Sequence, residues 1–341
     1  MKKSLLRILR CPVCKAAGFK PVVTAERYNE WREGTLECDN CHTKHKLDSG
    51  IVDLLFSPSD EIKKEQKASA EEVRIKTEGG EKYRIDSDSI EQFSDTFLSL
   101  PKGNNSSFFK NNGSFQNFAE GAHRFFEFVD KWPVSGGARV LEVGAGFCWA
   151  SREFVKRGAE VVAVEITEYL KVADLYIREN LFFERVYADM NNLPFLDNSF
   201  DIIFSAATVH HSSDLLKTFG EFYRVLKKGG KVILLNECFV GIFEKPQVHP
   251  EDFGYNDHYY TIPEWKASIK ESGFKDVKVT YLSFFKDYIE RKKVRGIKKN
   301  LKLYLAAWAA ENQIVDGLVS YITMPYRFFF RPKSLLIEAT K

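Results

Sequence analysis

The sequence predicts an α/β fold built on a buried parallel sheet, and four stretches carry that prediction. Val140-Leu-Glu-Val-Gly-Ala-Gly146 begins as the continuous apolar run of a strand covered on both faces, then turns on glycine into a helix. Val162-Ala-Val-Glu165 is a second such strand, ending in an acid. Asp197-Asn-Ser-Phe-Asp-Ile-Ile-Phe204 runs turn chemistry into a strand, and Arg224-Val-Leu-Lys-Lys-Gly-Gly-Lys-Val-Ile-Leu-Leu235 is a helix end, a Gly-Gly stop and a further strand. Gly144 and Gly146 let the backbone turn sharply and approach a bound molecule closely. Glu165 stands 19 positions after Gly146, where an acid can accept both hydroxyl hydrogens of a ribose. A nucleoside-type cofactor is the expected occupant.

The 341 residues allow one large domain and a small one. At 44% hydrophobic and 28% charged the composition is globular and excludes a disordered chain. A net charge of +3 neither demands nor excludes nucleic acid. No apolar run reaches the ~18–20 residues of a membrane-spanning helix. Met1-Lys-Lys-Ser-Leu-Leu-Arg-Ile-Leu-Arg10 breaks its apolar stretch with charges and lacks a small-residue cleavage site, so no secretory signal is expected and the cytoplasm is the default.

Taken from the start, Cys11/Cys14 and Cys38/Cys41 form two C-x-x-C knuckles with 23 residues between the pairs. In a cytosolic protein this spacing favours one tetrahedral zinc over disulfides. Pro12 rigidifies the first knuckle, Asp39-Asn40 gives the second its turn, and short strands are expected at Lys20–Thr24 and Gly34–Glu37. With four cysteines available, His42 and His45 are expected at the surface. Residues 57–73 are rich in Lys and Glu and read as a linker or an exposed helix. Residues 79–114 mix Gly, Ser and Asn with aromatics, the composition of a lid or of disorder. Phe118 to Trp132 has helical periodicity. Strands are expected at Phe274–Leu282 and Ser334–Thr340, separated by an unusual insertion at about 286–332. Lys286 to Lys302 holds eight Lys or Arg against two acids, and an apolar helical pattern follows over Leu303 to Ile322.

The ordered set across roughly residues 115–285, including Tyr187-Ala-Asp189-Met-Asn-Asn-Leu-Pro-Phe195 between the second and fourth strands, resembles the class I S-adenosylmethionine-dependent methyltransferases, in the subgroup acting on small molecules and some RNAs. The resemblance implies a Rossmann-like seven-stranded sheet with helices on both faces, the last strand antiparallel. Residues 5–56 resemble the small zinc-ribbon activators of tRNA, ribosomal and translation-factor methyltransferases. The implied organisation is a zinc ribbon at 1–56, a linker and lid at 57–114, and a methyltransferase domain at 115–341. A dinucleotide fits less well: Phe147 and Trp149 are bulky beside the turn, and Cys148 stands where many family members carry a third glycine.

Methyl transfer from a sulfonium asks the protein for orientation and, where needed, a base. By resemblance Glu142 and the Gly144-Ala145-Gly146 backbone hold the methionine moiety and Glu165, followed by Ile166, takes the ribose. Asp189 takes the adenine amine with Met190 against the ring, and Ala206 lines the same site. Cys11, Cys14, Cys38 and Cys41 are the structural metal set. His210 and His211 after the fourth strand, and His258 in Asn256-Asp-His-Tyr-Tyr-Thr261, are candidate bases, with Glu237 a further candidate. Three functions compete. One is methylation of a small-molecule, glycan or lipid-precursor acceptor, one is an RNA or translation-related methyltransferase docking through the ribbon, and one is a non-catalytic S-adenosylmethionine-binding module. The basic run at 286–302 with its apolar neighbour is expected to meet an anionic membrane surface or RNA, placing the protein peripherally at a membrane; the acceptor atom and the oligomeric state stay open.

Overall fold

A computed structural model describes residues 1–72, 75–76, 82–83, 87–106, 109–110, 113–134, 136–243, 247–250, 256–281, 285–286, 289, 301–329 and 335–341. Eleven strands form one sheet. The first four are β1 (Phe19–Arg27), β2 (Glu30–Cys38), β3 (Lys44–Asp48) and β4 (Ile51–Asp53). The next five are β5 (Arg139–Val143), β6 (Glu160–Glu165), β7 (Glu184–Tyr187), β8 (Phe200–Ala206) and β9 (Leu226–Leu235). Last come β10 (Lys275–Tyr281) and β11 (Leu335–Thr340). Their order across the sheet is β1-β2-β3-β4-β7-β6-β5-β8-β9-β11-β10.

The central strands β7, β6, β5, β8 and β9 are parallel, and β11 enters antiparallel between β9 and β10. This is the expected parallel sheet with its antiparallel last strand, and β10 and β11 pair although the insertion lies between them. The Cys-rich meander adds four strands to the same sheet. β4 pairs in parallel with β7, joining Ile51 to Arg185 and Asp53 to Tyr187. Arg185 lies fully buried at that seam, bonded to Glu30 and, at 2.9 Å, to Asp174. Arg32 reaches the same Asp174 from β2.

One face of the sheet packs against α2 (Gly113–Phe128) and α3 (Trp149–Lys156), where Phe125 meets Trp132, Trp149, Phe154 and Phe204 edge-on at 5.1–5.7 Å. The other face carries α4 (Leu215–Val225) and α5 (Ile262–Glu271), which bury Phe219, Phe222, Trp265 and Ile269. That second core continues without a break into the meander, with Leu9, Leu36, Leu47, Val52 and Leu54 in the same cluster as Leu141, Val162 and Val186. Asp214 caps α4, accepting from the Lys217 N–H at 2.9 Å. Thr261 and Glu264 form a capping box at α5, with Pro263 in its first turn.

Three expectations change. His45 is 5% exposed, because β3 alternates and turns His45 and Leu47 inward, against Phe19; His42 is exposed as expected. Residues 57–73 hold a packed helix, α1 (Asp60–Glu72), which buries Glu65, Ala68 and Ser69 and ties Gln66 to the Ile166 carbonyl at 2.7 Å. Part of 79–114 is ordered against the core. Phe97 and Leu100 are buried there, and Arg152 donates to the Leu98 and Leu100 carbonyls at 2.6 and 2.5 Å.

In the insertion, α6 (Leu301–Glu311) and α7 (Gln313–Phe329) leave Tyr304, Trp308, Ile314, Leu318, Tyr321 and Ile322 more than half exposed. Most of the basic run at 286–302 lies outside the described residues. Among the described residues no helix is long and apolar enough to cross a membrane.

Candidate functional site

Ligands of open α/β sheets bind at the carboxyl ends of the strands. There, β5, β6, β8 and β9 surround a cavity of about 580 Å³. Ser59, Glu61, Ile62 and Glu65 at and around α1, and Glu120, Gly121 and Arg124 of α2, line it from the helical side.

The turn after β5 forms the cavity's tightest corner. Gly144 sits at φ +68° and Gly146 at φ +48°, in the left-handed region open to glycine. The Gly144 and Ala145 N–H groups donate to the Val164 carbonyl at 2.9 and 3.0 Å, locking the turn onto β6. A side chain at Gly144 would put its Cβ 2.5 Å from Thr208 Cβ, and nearer still to its Cγ2 and Oγ1, whereas the space beside Gly146 is open. Cys148 also adopts φ +58°, a conformation that favours glycine, with its thiol fully buried. Phe147 packs at 4.6 Å on Tyr169, and Phe147, Trp149 and Tyr169 all line the cavity.

The carboxylates are distributed along it. Glu142, at the end of β5, is buried beside the Ser151 hydroxyl, and burial pushes its carboxyl up to about 8. Glu165 accepts from the N–H groups of Gly146 (2.8 Å), Ile166 (2.7 Å) and Thr167 (3.1 Å). Burial still holds it above the usual carboxylate range despite those three donors. Asp189 accepts from Asn191 N–H at 2.8 Å and is likewise raised by burial. Ala145, Ile166, Met190 and Ala206 complete the same wall, so all nine residues expected at the cofactor share one cavity.

The far end is built from three segments. After β8, His210 places Nδ1 2.8 Å from Glu237 Oε2, and Glu237 also accepts from the backbone of Thr208, Val209 and His210. His211 Nδ1 lies 3.3 Å from Asp257 and 3.6 Å from Glu65 of α1. Burial would lower the His211 pKa, but the bond to Glu65 and the charges of Asp257 and Glu237 raise it above the ordinary value. His258 does not line the cavity. Burial lowers its pKa, and its Nε2 has no hydrogen-bond partner among the described residues. Its neighbour Asp257 takes the inward position instead. Asp257, Glu65, Arg124 and Cys238 are cavity residues that the sequence reading did not single out for this site.

Some distance along the chain, the four knuckle cysteines converge. Cys11 Sγ and Cys41 Sγ are 3.7 Å apart, Cys14 Sγ and Cys38 Sγ 3.6 Å, and all four sulfurs lie within 4.8 Å of one another. Backbone N–H bonds draw the Cys14 thiol down to about 6.

A family model described as a methyltransferase domain matches residues 141–234. A phosphoethanolamine N-methyltransferase of Triticum aestivum is 26% identical over 204 residues, covering 56% of this chain and 39% of that protein. A sterol 24-C-methyltransferase of Gibberella zeae is 35% identical over 102 residues, covering 28% of this chain and 27% of its own. The chain thus spans less than half the length of these curated relatives. A solved Haemonchus contortus phosphoethanolamine N-methyltransferase 2, in complex with S-adenosyl-L-methionine, superimposes with a TM-score of 0.47 at 24% identity, over 76% of this chain and 62% of that one. The matched segment runs from β5 through β9 and contains Glu142, the glycine turn, Glu165, Asp189 and the histidine pair: this chain carries a methyltransferase domain.

Proposed function

We propose that the protein transfers a methyl group from S-adenosylmethionine to a small-molecule, glycan or lipid-precursor acceptor. One observation carries this reading: Glu142, the Gly144–Gly146 turn, Glu165 and Asp189 line a single cavity that continues to His210, His211 and Asp257. The residues fit the cofactor. Glu142 is a buried acid whose side-chain partner is the neutral Ser151 hydroxyl, and an ammonium beside it would favour its charged form. Glu165 has its oxygens at the lip of the glycine turn, where ribose hydroxyls can share them with the backbone donors. Asp189 stands where an adenine amine would be received, with Met190 beside it.

S-adenosylmethionine supplies an electrophilic methyl on a sulfonium. The chain's part is to orient, with α1 and α2 lining the cavity beside the cofactor's residues, and a pocket of this size favours a small acceptor. Glu237, fixed by three backbone donors, orients His210 at the acceptor end of the cavity. His211, biased toward its protonated form, suits holding an anionic or polar acceptor group better than accepting a proton. The exposed apolar side chains of α6 and α7 favour a lipid-linked member of the class.

For the four cysteines we propose one structural zinc. A tetrahedral Zn–S distance of ~2.3 Å implies sulfurs about 3.8 Å apart, close to the 3.6 and 3.7 Å spacings here. Labelled S-adenosylmethionine incubated with fractionated cell extract tests the activity. Label in lipid or small metabolites is expected, label in RNA would move the acceptor class, and tight NADH binding with no S-adenosylhomocysteine binding would overturn the reading.

A further inference from the structure

The acceptor end of the cavity brings together three different donors. His210, from the turn after β8, Cys238, just past β9, and Asp257, from the segment 256–261, hold their ligand atoms within 4.8 Å of one another. All three line the cavity. We propose that they form a second metal site, distinct from the four-cysteine cluster, holding one zinc-class divalent ion with a coordination position open to the cavity.

The state of His210 is the first argument. Its Nδ1 lies 2.8 Å from a Glu237 carboxylate that three backbone N–H groups hold in place, and a carboxylate there receives the Nδ1 proton. Nε2 is left as the lone-pair nitrogen, the form that binds metals. It faces Asp257 Oδ1 at 3.7 Å. That is too long for a hydrogen bond. It is close to the roughly 3.3–3.8 Å that separates two ligands on one tetrahedral ion with bonds of ~2.0–2.3 Å. A carboxylate behind a ligating imidazole is the usual support of such a site.

Donor chemistry and charge agree with this. Imidazole, thiolate and carboxylate together select zinc over magnesium or calcium, and three protein ligands with a fourth position open is the pattern of reactive rather than structural zinc. Glu65, Glu237 and Asp257 are all buried around this spot, and Glu61 also faces the cavity, while among the described residues the cationic side chains there are His211 and Arg124. His211 pairs with both Asp257 and Glu65 without matching the number of acids. A bound dication offsets the surplus.

The open position would take a hydroxyl or thiol of the acceptor, whose proton leaves to solvent as the anion forms on the ion. That acceptor assignment rests on the methyl-transfer reading; the metal site does not, because it is measured without turnover. The full chain is loaded with zinc, desalted and its metal content determined for wild type, Cys238→Ser and Asp257→Asn. Each variant is expected to lose one equivalent per chain relative to wild type, with its circular dichroism melt retained. Because a difference is read, the outcome does not depend on what the four-cysteine cluster binds. In wild type, zinc is expected to protect Cys238 from iodoacetamide and a chelator to restore its alkylation, a readout that needs no variant to fold. Metal content unchanged in both variants, or Cys238 alkylation indifferent to zinc, overturns the site.

Discussion

Substituting Gly144 by alanine probes the glycine turn with a built-in control a few ångströms away. Both Gly144 and Gly146 are left-handed, so Ala at either costs about 1–2 kcal/mol for the conformation alone. Only at Gly144 does the new methyl overlap Thr208, whose Cβ would stand 2.5 Å away. Neither neighbour can yield freely, because the turn is pinned to Val164 and the Thr208 N–H to the Glu237 carboxylate. Overpacking of this kind adds about 1–3 kcal/mol. Gly144→Ala is therefore expected to destabilise by roughly 2–5 kcal/mol and Gly146→Ala by about 1–2 kcal/mol. Urea unfolding of both, with equal slopes, reads the difference. Thr208→Gly removes the overlapping atoms, so the double variant Gly144→Ala/Thr208→Gly should recover part of the loss as a coupling of about 1–3 kcal/mol. Equal midpoints for the two alanine variants, or additivity in the double variant, refute the reasoning.

Four more outcomes follow from the same geometry. Glu142 has a folded pKa of about 8 against an ordinary 4.5, so its stabilising contribution is complete below about 4.5 and is lost as pH rises through about 8; Glu142→Gln should flatten that slope in pH-dependent unfolding. Binding of S-adenosylhomocysteine at pH 7 should release a proton from Glu142, seen by calorimetry in buffers of different ionisation enthalpy and absent in Glu142→Gln. Glu165→Ala should weaken S-adenosylhomocysteine binding by about 1.5–3 kcal/mol, tenfold to a hundredfold, and a change under twofold would remove Glu165 from the ribose role. Stripping the four-cysteine site with a chelator should lower the melting temperature of the whole chain in one transition, since the meander shares its core with the central sheet; separate melting of residues 1–56 would contradict that.

The central strands were legible because a strand buried on both faces is largely apolar, as Val140, Leu141 and Val143 and the run Val161–Val164 display without any tertiary information. The glycine turn and its acid were legible for a similar reason, since the backbone there restricts which residues fit. The β4–β7 pairing was not, because parallel backbone bonds carry no residue identity and join segments over 130 positions apart. Helix α1 read as a linker or an exposed helix because its stretch is rich in Lys and Glu, and two of those acids, Glu61 and Glu65, sit on the side that lines the cavity. The choice between Asp257 and His258 turned on strand phase. Adjacent residues point to opposite faces, so a one-residue difference decides which side chain reaches the site.

The shared sheet also moves an exposed edge. Without β1–β4, strand β7 would end the parallel sheet with its row of N–H and C=O groups open to any passing strand. With them, that edge is β1, and β1 is poorly suited to recruiting a partner. It carries Pro21, which has no N–H to offer, register breaks between Val23 and Glu26, and the charges of Lys20, Glu26 and Arg27. The opposite border, β10, bears Lys275, Asp276 and Lys278 and a register break of its own. The meander thus acts as a selvedge, finishing the β7 side of the weave so that neighbouring molecules find no loose thread to pull into a fibre.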